Sequence, residues 1–136
     1  MRRLLLAAIL CAMVSAVQAQ TWENQANPAL QLKGAKVYAQ DPKKTYLGSL
    51  TGEVEYDSIF NQVGPHGSKV SKTSIWNVTS PFGVDSGEYS AFNPVTKTPP
   101  TMVKAGKVVG YITVNKSIDN RISPRFLKSL KDQFGL

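Results

Sequence analysis

The mature form of this chain has no cysteine, and this absence excludes several kinds of site. Cys11 is the only cysteine among 136 residues, and it lies within a predicted signal peptide. Loss of that peptide excludes disulfide bonds and cysteine-ligated metal sites from the folded domain. Leu10 stands where a bacterial lipoprotein needs a small residue before its cysteine, so we predict no lipid anchor. An exported domain without disulfides must draw its stability from its core.

Long apolar runs are also absent beyond the first residues of the chain. Arg2 and Arg3 form a positive region, residues 4–14 form an apolar region, and small residues precede a cleavage position after Ala19. The apolar run is shorter than the roughly 20 residues that a membrane-spanning helix needs. We therefore predict that residues 1–19 are a bacterial Sec signal peptide. The mature chain is then periplasmic or secreted, without a transmembrane segment.

Acidic residues are scarce. Without Arg2 and Arg3 the chain keeps fourteen basic and nine acidic residues, which gives a formal charge of +5. The roughly 117 residues that remain suit a single domain. Because the basic residues are spread thinly, they favour contact with anionic envelope components over a specific nucleic-acid site.

The sequence has a single histidine and no carboxylates grouped at a spacing that favours catalysis or metal binding. His66 is the only histidine, and its place in a turn beside glycine and proline favours a packing role. Asp57, Asp85 and Glu88 lack the dense alternating spacing of a calcium loop. The sequence has no glycine-rich phosphate-binding motif. We therefore predict a protein that is not an enzyme and that uses no metal or cofactor.

What the chain does have is a three-copy repeat over residues 57–94. Each copy places a serine two residues before an aromatic residue and an asparagine directly after it, and successive copies lie sixteen residues apart. This arrangement is typical of turns in which side chains bond to nearby backbone groups. Repetition argues against a serine nucleophile, which acts once, beside one activating base. The repeated positions are Ser58, Phe60 and Asn61, then Ser74, Trp76 and Asn77, then Ser90, Phe92 and Asn93.

Two full units and a partial third are too few for a free-standing repeat array, which generally needs about three units and capped ends. We therefore predict that the aromatic residues act as anchors that insert against a sheet, so that the repeats form a covering layer. Lys69, Lys72 and Tyr89 adjoin the repeated motifs and form a candidate contact surface.

Two β-hairpins flank the repeat. Alternating apolar residues around an Asp-Pro turn predict one hairpin over residues 35–51. A similar pattern around a tighter Ala-Gly turn predicts another over residues 101–115. Residues 20–34 form a polar lead-in whose order the pattern does not define.

A helix is predicted over residues 124–134. Ser123 is a suitable N-cap, a proline occupies the first helical position, and apolar residues recur at helical spacing. Such a stripe is typical of a helix packed on one face of a sheet. The predicted fold class is mainly β with one C-terminal α-helix, in a single small domain over residues 35–136.

The layout resembles that of a group of short, mostly uncharacterised, exported bacterial proteins. These carry tandem Ser-Ile-aromatic-Asn units separated by Gly-x-aromatic-Gly-Ser, and a strand lies on each side of the units. Residues 46–50, the three repeat copies, the Pro-Pro pair at 99–100 and residues 110–115 match that layout. The resemblance covers about two thirds of the mature chain and implies an architecture without an activity.

This chain departs from the group at two places. Some members carry Cys-x-x-Cys where this chain has Ser49 and Gly52, so the metal or redox role that such a pair implies is absent here. The position of His66 usually holds an aromatic residue, as Phe82 does in the second copy.

The combined observations predict an exported, non-enzymatic binding or structural module of the cell envelope. Its expected partner is an anionic envelope polymer or a protein. The alternative is an inhibitor or accessory subunit of an exported enzyme or secretion system. Polymer binding that is lost at high salt would favour the first function, and one stoichiometric protein partner would favour the second.

Trp76→Ala tests the predicted anchoring role of the repeated aromatic residue. If the ring is fully buried, its removal should lower the free energy of unfolding by about 3–5 kcal/mol. Urea denaturation of the two proteins measures the difference. A loss below about 1 kcal/mol would identify Trp76 as an exposed residue that is available for binding.

Overall fold

The computed structural model of the protein describes residues 20–136. The predicted signal peptide, its cleavage after Ala19 and Cys11 lie outside the described residues. Within residues 20–136, no helix has both the length and the apolar character needed to cross a bilayer.

A five-stranded sheet organises the fold. The strands are β1, Lys36–Tyr38; β2, Tyr46–Ser49; β3, Thr101–Lys104; β4, Lys107–Ile112; and β5, Arg121–Ile122. They lie in the order β2-β1-β3-β4-β5. The hairpins predicted on either side of the repeat join into this one sheet, because β1 pairs antiparallel with β3. The fifth strand, which the sequence pattern did not predict, pairs parallel with β4. The structure confirms a mainly β fold that ends in helical residues.

Local turn chemistry accounts for both hairpins. In the first turn, the Asp41 carboxylate accepts hydrogen bonds from the Thr45 N–H at 2.8 Å and the Thr45 hydroxyl at 2.6 Å. In the second, Ala105 and Gly106 have φ angles of 52° and 77°. Two successive residues with positive φ match the right-handed twist of paired strands.

Each edge of the sheet is partly covered. At β2, the Ser49 N–H donates to the Asp57 carbonyl at 2.8 Å, and the Ile59 N–H donates to the Ser49 carbonyl at 3.0 Å. At the other edge, Thr21 forms a parallel bridge with Arg121 of β5. Covered edges protect a sheet against pairing with other chains.

The lead-in is an ordered part of the fold. It contains a 3-10 helix, Trp22–Asn24, and helix α1, Pro28–Leu32. Ala29 and Leu32 are buried in the core, and the Trp22 indole N–H donates to the Val109 carbonyl at 3.1 Å. The domain predicted to begin at residue 35 therefore includes the lead-in as well.

The repeat segment, residues 57–94, is a ribbon of turns that recur every three residues. The N–H groups of Ser58 and Asn61 each donate to the carbonyl three residues earlier, at 3.2 Å. We call each of these hydrogen bonds a step. One step in each unit spans four residues instead of three, as where the Ser68 N–H donates to the Gly64 carbonyl at 3.2 Å. Four steps of three residues and one step of four explain the sixteen-residue period.

Glycine is required where the ribbon folds back on itself. A Cβ atom on Gly67 would lie 2.1 Å from the Asn61 carbonyl oxygen, and one on Gly83 would lie equally close to the Asn77 carbonyl. These glycines occupy the same place in successive units, so the close approach belongs to the repeated unit itself.

The deepest anchors of the repeat are the residues just before the aromatic positions, which corrects the prediction. Ile59, Ile75 and Ala91 have no solvent exposure, whereas Trp76 and Phe92 are half-buried. Phe60 is 5% exposed, so in the first pair both residues are buried, and the difference in burial applies to the second and third pairs.

The repeat segment contacts the sheet near both of its own ends. Ile59 packs on β2, since a Cβ atom on Gly48 would lie 2.8 Å from the Ile59 Cγ2 atom. At the other end of the segment, the Ala91 carbonyl accepts a hydrogen bond from the Val114 N–H, just beyond β4, at 2.9 Å.

The helix predicted over residues 124–134 is divided into two short helices. Helix α2 spans Pro124–Ser129 and helix α3 spans Lys131–Phe134, with Leu130 between them at ψ 2°. The Ser123 hydroxyl caps α2 by accepting from the Phe126 N–H at 3.1 Å. Phe134 of α3 and Lys128 of α2 contact the Phe60 and Trp76 rings of the repeat.

Ile75→Ala tests whether the fully buried residues of the repeat, Ile59, Ile75 and Ala91, stabilise the fold. Deleting most of a fully buried isoleucine side chain should lower the free energy of unfolding by about 2–5 kcal/mol. Val78→Ala is the control in the same unit, because Val78 is 74% exposed, and it should change stability by no more than about 0.5 kcal/mol. Equal losses in urea denaturation would contradict this assignment of the core.

Candidate binding surface

The three repeated serines are internal scaffold groups. Ser58, Ser74 and Ser90 have no solvent exposure, and each hydroxyl oxygen accepts a hydrogen bond from the N–H two residues later, at 3.0 to 3.1 Å. The Ser58 hydroxyl also donates to the Thr51 carbonyl at 2.8 Å. A ligand cannot reach these oxygens without opening the turns.

The three repeated asparagines bridge successive turns. Each Nδ2 donates to the carbonyl six residues earlier, at 2.8 to 3.0 Å, and each Oδ1 accepts from the N–H two residues later, at 3.0 to 3.1 Å. Their amide groups are therefore engaged inside the ribbon. The surface available to a partner is formed by the side chains between these polar positions. The residues concerned are Asn61, Asn77 and Asn93.

Aromatic side chains form a row between the repeat and the C-terminal helices. The Phe60 ring stacks on Phe134 with 5.4 Å between centroids, and the Trp76 and Phe92 rings meet edge to face at 6.2 Å. The Trp76 indole N–H donates to the Ile59 carbonyl, one unit earlier, at 2.6 Å. This hydrogen bond holds the indole in a fixed orientation while part of the ring stays at the surface.

Lysine side chains surround the accessible part of Trp76. The Lys128 Nζ lies 5.1 Å from the centroid of the Trp76 ring, within the range of a cation–π interaction. A shallow hollow beside the ring is also lined by Lys69 and Lys131. We call Lys69, Trp76, Lys128 and Lys131 the Trp76 patch.

Most of the positive charge on the Trp76 patch is not neutralised by carboxylates. Lys131 pairs with Glu53 at 3.9 Å, and this is the one ion pair found in residues 20–136. Lys69 and Lys128 are exposed. An anion approaching the patch would therefore meet two ammonium groups that have no acidic partner in the described chain.

The structure separates the residues that the sequence grouped as a contact surface. Lys69 lies in the Trp76 patch, whereas Lys72 is exposed outside it and Tyr89 is half-buried against the core. Sequence reasoning missed Lys128 and Lys131. Their position on the polar side of the C-terminal helix was visible, but only the fold places that side over Trp76.

A second and larger cavity lies on the other side of the aromatic row. It is an open groove of about 850 Å³ between the second repeat unit and the chain that follows β4, and we call it the Phe92 groove. Its lining combines apolar, basic and acidic side chains. The lining residues are Glu23, Val78, Gly83, Asp85, Phe92, Thr113, Val114, Lys116, Arg121, Ser123 and Arg125.

A polar network joins β2 to the first repeat unit. The Tyr46 hydroxyl donates to one Asp57 carboxylate oxygen at 2.5 Å, and the Ser49 hydroxyl donates to the other at 3.0 Å. The bond from Tyr46, ahead of that from Ser49, lowers the pKa of Asp57 below its ordinary value of 3.8. Burial, followed by the bond to Asp57, raises the pKa of Tyr46.

His66 completes the surroundings of this network without joining its hydrogen bonds. Its ring meets Tyr46 edge to face at 5.0 Å, and its Nδ1 lies 3.2 Å from the Thr73 carbonyl oxygen, to which a protonated Nδ1 donates. Across residues 20–136, no group of three or more histidine, cysteine, aspartate or glutamate side chains is arranged to hold a metal ion.

Comparison with known proteins assigns no relative to this chain. No protein-family model, curated protein or solved structure matches it. The resemblance of its repeats to those of small exported bacterial proteins therefore stays a prediction. The Trp76 patch and the Phe92 groove, on the two sides of the aromatic row, are the surfaces of the described chain that suit a ligand.

Tyr46→Phe tests the stabilising role of the Asp57 network. The folded-state pKa of Asp57 is depressed, so the network contributes stability above the unfolded-state pKa, and this contribution is lost as pH falls through the folded-state pKa. The variant should lose about 1–3 kcal/mol near neutral pH and less in acid.

Urea denaturation at several pH values between about 2 and 7 measures this effect. Tyr56→Phe serves as the control, because Tyr56 is 76% exposed and should keep the wild-type pH profile. A Tyr46→Phe loss that is the same at every pH would contradict the role assigned to Asp57.

Proposed function

We propose that this protein is an exported, non-enzymatic binding module that holds an anionic polymer of the cell envelope at the Trp76 patch. The observation that carries the proposal is the Lys128 ammonium 5.1 Å from the centroid of the Trp76 ring, with Lys69 and Lys131 beside it. Basic groups around a surface aromatic ring suit a ligand that carries repeated negative charges and some apolar surface.

The shape of the Trp76 patch favours an extended ligand over a small one. The hollow beside the ring is shallow, with about 20 Å³ of enclosed space, so it cannot bury a metabolite. Contacts to a polymer are instead spread along a surface, and each contact adds a modest part of the affinity. Lysine ammonium groups attract phosphate or carboxylate groups without demanding one geometry.

The rigidity of the Trp76 patch also supports binding. Trp76 is fixed by its indole hydrogen bond to Ile59 at 2.6 Å and by its edge contact with Phe92. Lys128 lies on α2, whose first turn is capped by Ser123. A surface that is ordered before binding loses less conformational entropy when a ligand arrives.

A second candidate is an inhibitor or accessory subunit of an exported enzyme or secretion system. It is favoured by exposed valines on the repeat segment and just outside its two ends, each of them 74 to 95% exposed. A protein partner that covered these side chains would remove their apolar surface from water. The valines concerned are Val54, Val63, Val70, Val78 and Val95.

Binding to lipopolysaccharide and to purified peptidoglycan tests the first candidate. A Trp22→Phe background leaves Trp76 as the only tryptophan, so ligand contact at the patch should change its fluorescence. Affinity should fall at least about tenfold when ionic strength rises from about 0.05 M to about 0.5 M, since salt screens exposed charges.

Two double variants distinguish binding at the Trp76 patch from a general effect of the protein's net charge. Lys69→Gln with Lys128→Gln should weaken polymer binding about tenfold at low salt. Lys36→Gln with Lys107→Gln removes the same charge from exposed positions on β1 and β4, and it should weaken binding less than about threefold. Equal effects of the two pairs would contradict the proposal, and salt-resistant capture of one stoichiometric protein would favour the second candidate.

A further inference from the structure

We propose that the Phe92 groove is a second binding site, specific for a short peptide that carries both a free carboxylate and a free ammonium group. This site is separate from the Trp76 patch, and its ligand belongs to a different chemical class. The cavity of about 850 Å³ lies within the range of about 300–1,000 Å³ that encloses small ligands.

Charges of both signs line the Phe92 groove. Lys116, Arg121 and Arg125 contribute positive charge, and Glu23 and Asp85 contribute negative charge. Within residues 20–136 the one ion pair closer than 4.0 Å is that between Lys131 and Glu53, so no two charged groups of the groove form a salt bridge with each other. A ligand with separated opposite charges can satisfy both sets at once.

Hydrogen bonds already orient one positively charged and one negatively charged side chain of the groove. The Arg121 guanidinium donates to the Ile118 carbonyl at 3.3 Å, and the Glu23 carboxylate accepts from the Ser123 N–H at 3.3 Å. Guanidinium groups bind planar carboxylates with two parallel hydrogen bonds, which favours a peptide carboxylate at the arginine end. Glu23 is bonded to Ser123 and so lies on the same side of the groove as the arginines, whereas Asp85 belongs to the repeat on the other side. The ammonium group of the peptide then lies toward Asp85.

The apolar part of the lining specifies the rest of the ligand. Val78 and Phe92 face the same cavity, and Val78 is 74% exposed. An apolar peptide side chain would cover this surface and remove it from water. The combination of two charges and an apolar contact selects a short apolar peptide over an inorganic anion, which would use the arginines alone.

Calorimetric titration with the tripeptide Ala-Leu-Phe tests the site, because the same peptide can be made with either end neutralised. The peptide with free ends should bind saturably. Amidation of the carboxylate and acetylation of the amine should each weaken binding about tenfold, which corresponds to the loss of one charged contact. Nitrogen-15 NMR shifts should concentrate at the amides of Val78, Phe92 and Val114.

Substitutions assign each end of the peptide to its partner. Arg125→Gln should weaken the free peptide about tenfold and leave the affinity of the amidated peptide unchanged, because the two changes remove one interaction. Asp85→Asn should behave in the same way toward the acetylated peptide. Lys107→Gln and Asp132→Asn, at exposed positions that do not line the groove, are the matched controls and should bind like the wild type.

The neutralised peptides keep the test decisive even if a variant folds poorly. Equal affinities for the free, amidated and acetylated peptides, or no saturable binding up to about 10 mM, would overturn the proposal. Losses with Arg125→Gln that are the same for the free and the amidated peptide would overturn it as well. The pair Lys69→Gln and Lys128→Gln should leave peptide binding intact, so this site and the proposed polymer site can fail independently.

Discussion

Hydrogen bonds between repeated polar side chains and nearby backbone groups are the interaction on which the rest of this structure depends. A ribbon of successive turns has no ladder of its own to satisfy its buried N–H and C=O groups, and unpaired buried groups are costly. Each repeated serine accepts from one N–H, and each repeated asparagine joins a carbonyl on one turn to an N–H on another. Because these bonds stay within one unit, every unit can adopt the same conformation. The sixteen-residue period therefore reflects four narrow steps and one wide step of the backbone.

The ribbon divides its apolar residues between two tasks. Ile59 and Ile75 fill the interior, whereas the aromatic residues next to them form a row that the C-terminal helices only partly cover. This partial cover creates the two proposed binding surfaces. On one side α2 places Lys128 over Trp76, and on the other side the chain after β4 closes a groove against Phe92. Covering the aromatic row completely would add stability but would remove both surfaces.

Much of the architecture could be predicted because its signals are local. Asp41 and the Ala105-Gly106 pair specify turns through their own side chains or φ angles, so both hairpins were visible in the sequence. The lead-in and β5 were missed because their order depends on distant partners: Trp22 bonds to Val109, and Arg121 pairs with Tyr111. The helix break at Leu130 has no glycine or proline to mark it. Of the lysines in the Trp76 patch, the sequence identified only Lys69 as a contact residue. Lys128 lies more than fifty residues further along the chain, so no local pattern connects it to Trp76.

The sequence by itself determined the repeated unit, the turn-forming residues, the hairpins and the mainly β class. It did so because each depends on residues within one turn of the chain. Only the tertiary structure decided that Phe60 is buried while Trp76 and Phe92 are half-buried, where the C-terminal helices lie, and which charges share a surface. Those choices follow from packing between segments that are far apart in sequence, and a local pattern cannot encode them. The same repeated serines, aromatics and asparagines that mark the sequence thus build the scaffold, while the proposed binding groups come largely from residues that the repeat does not contain.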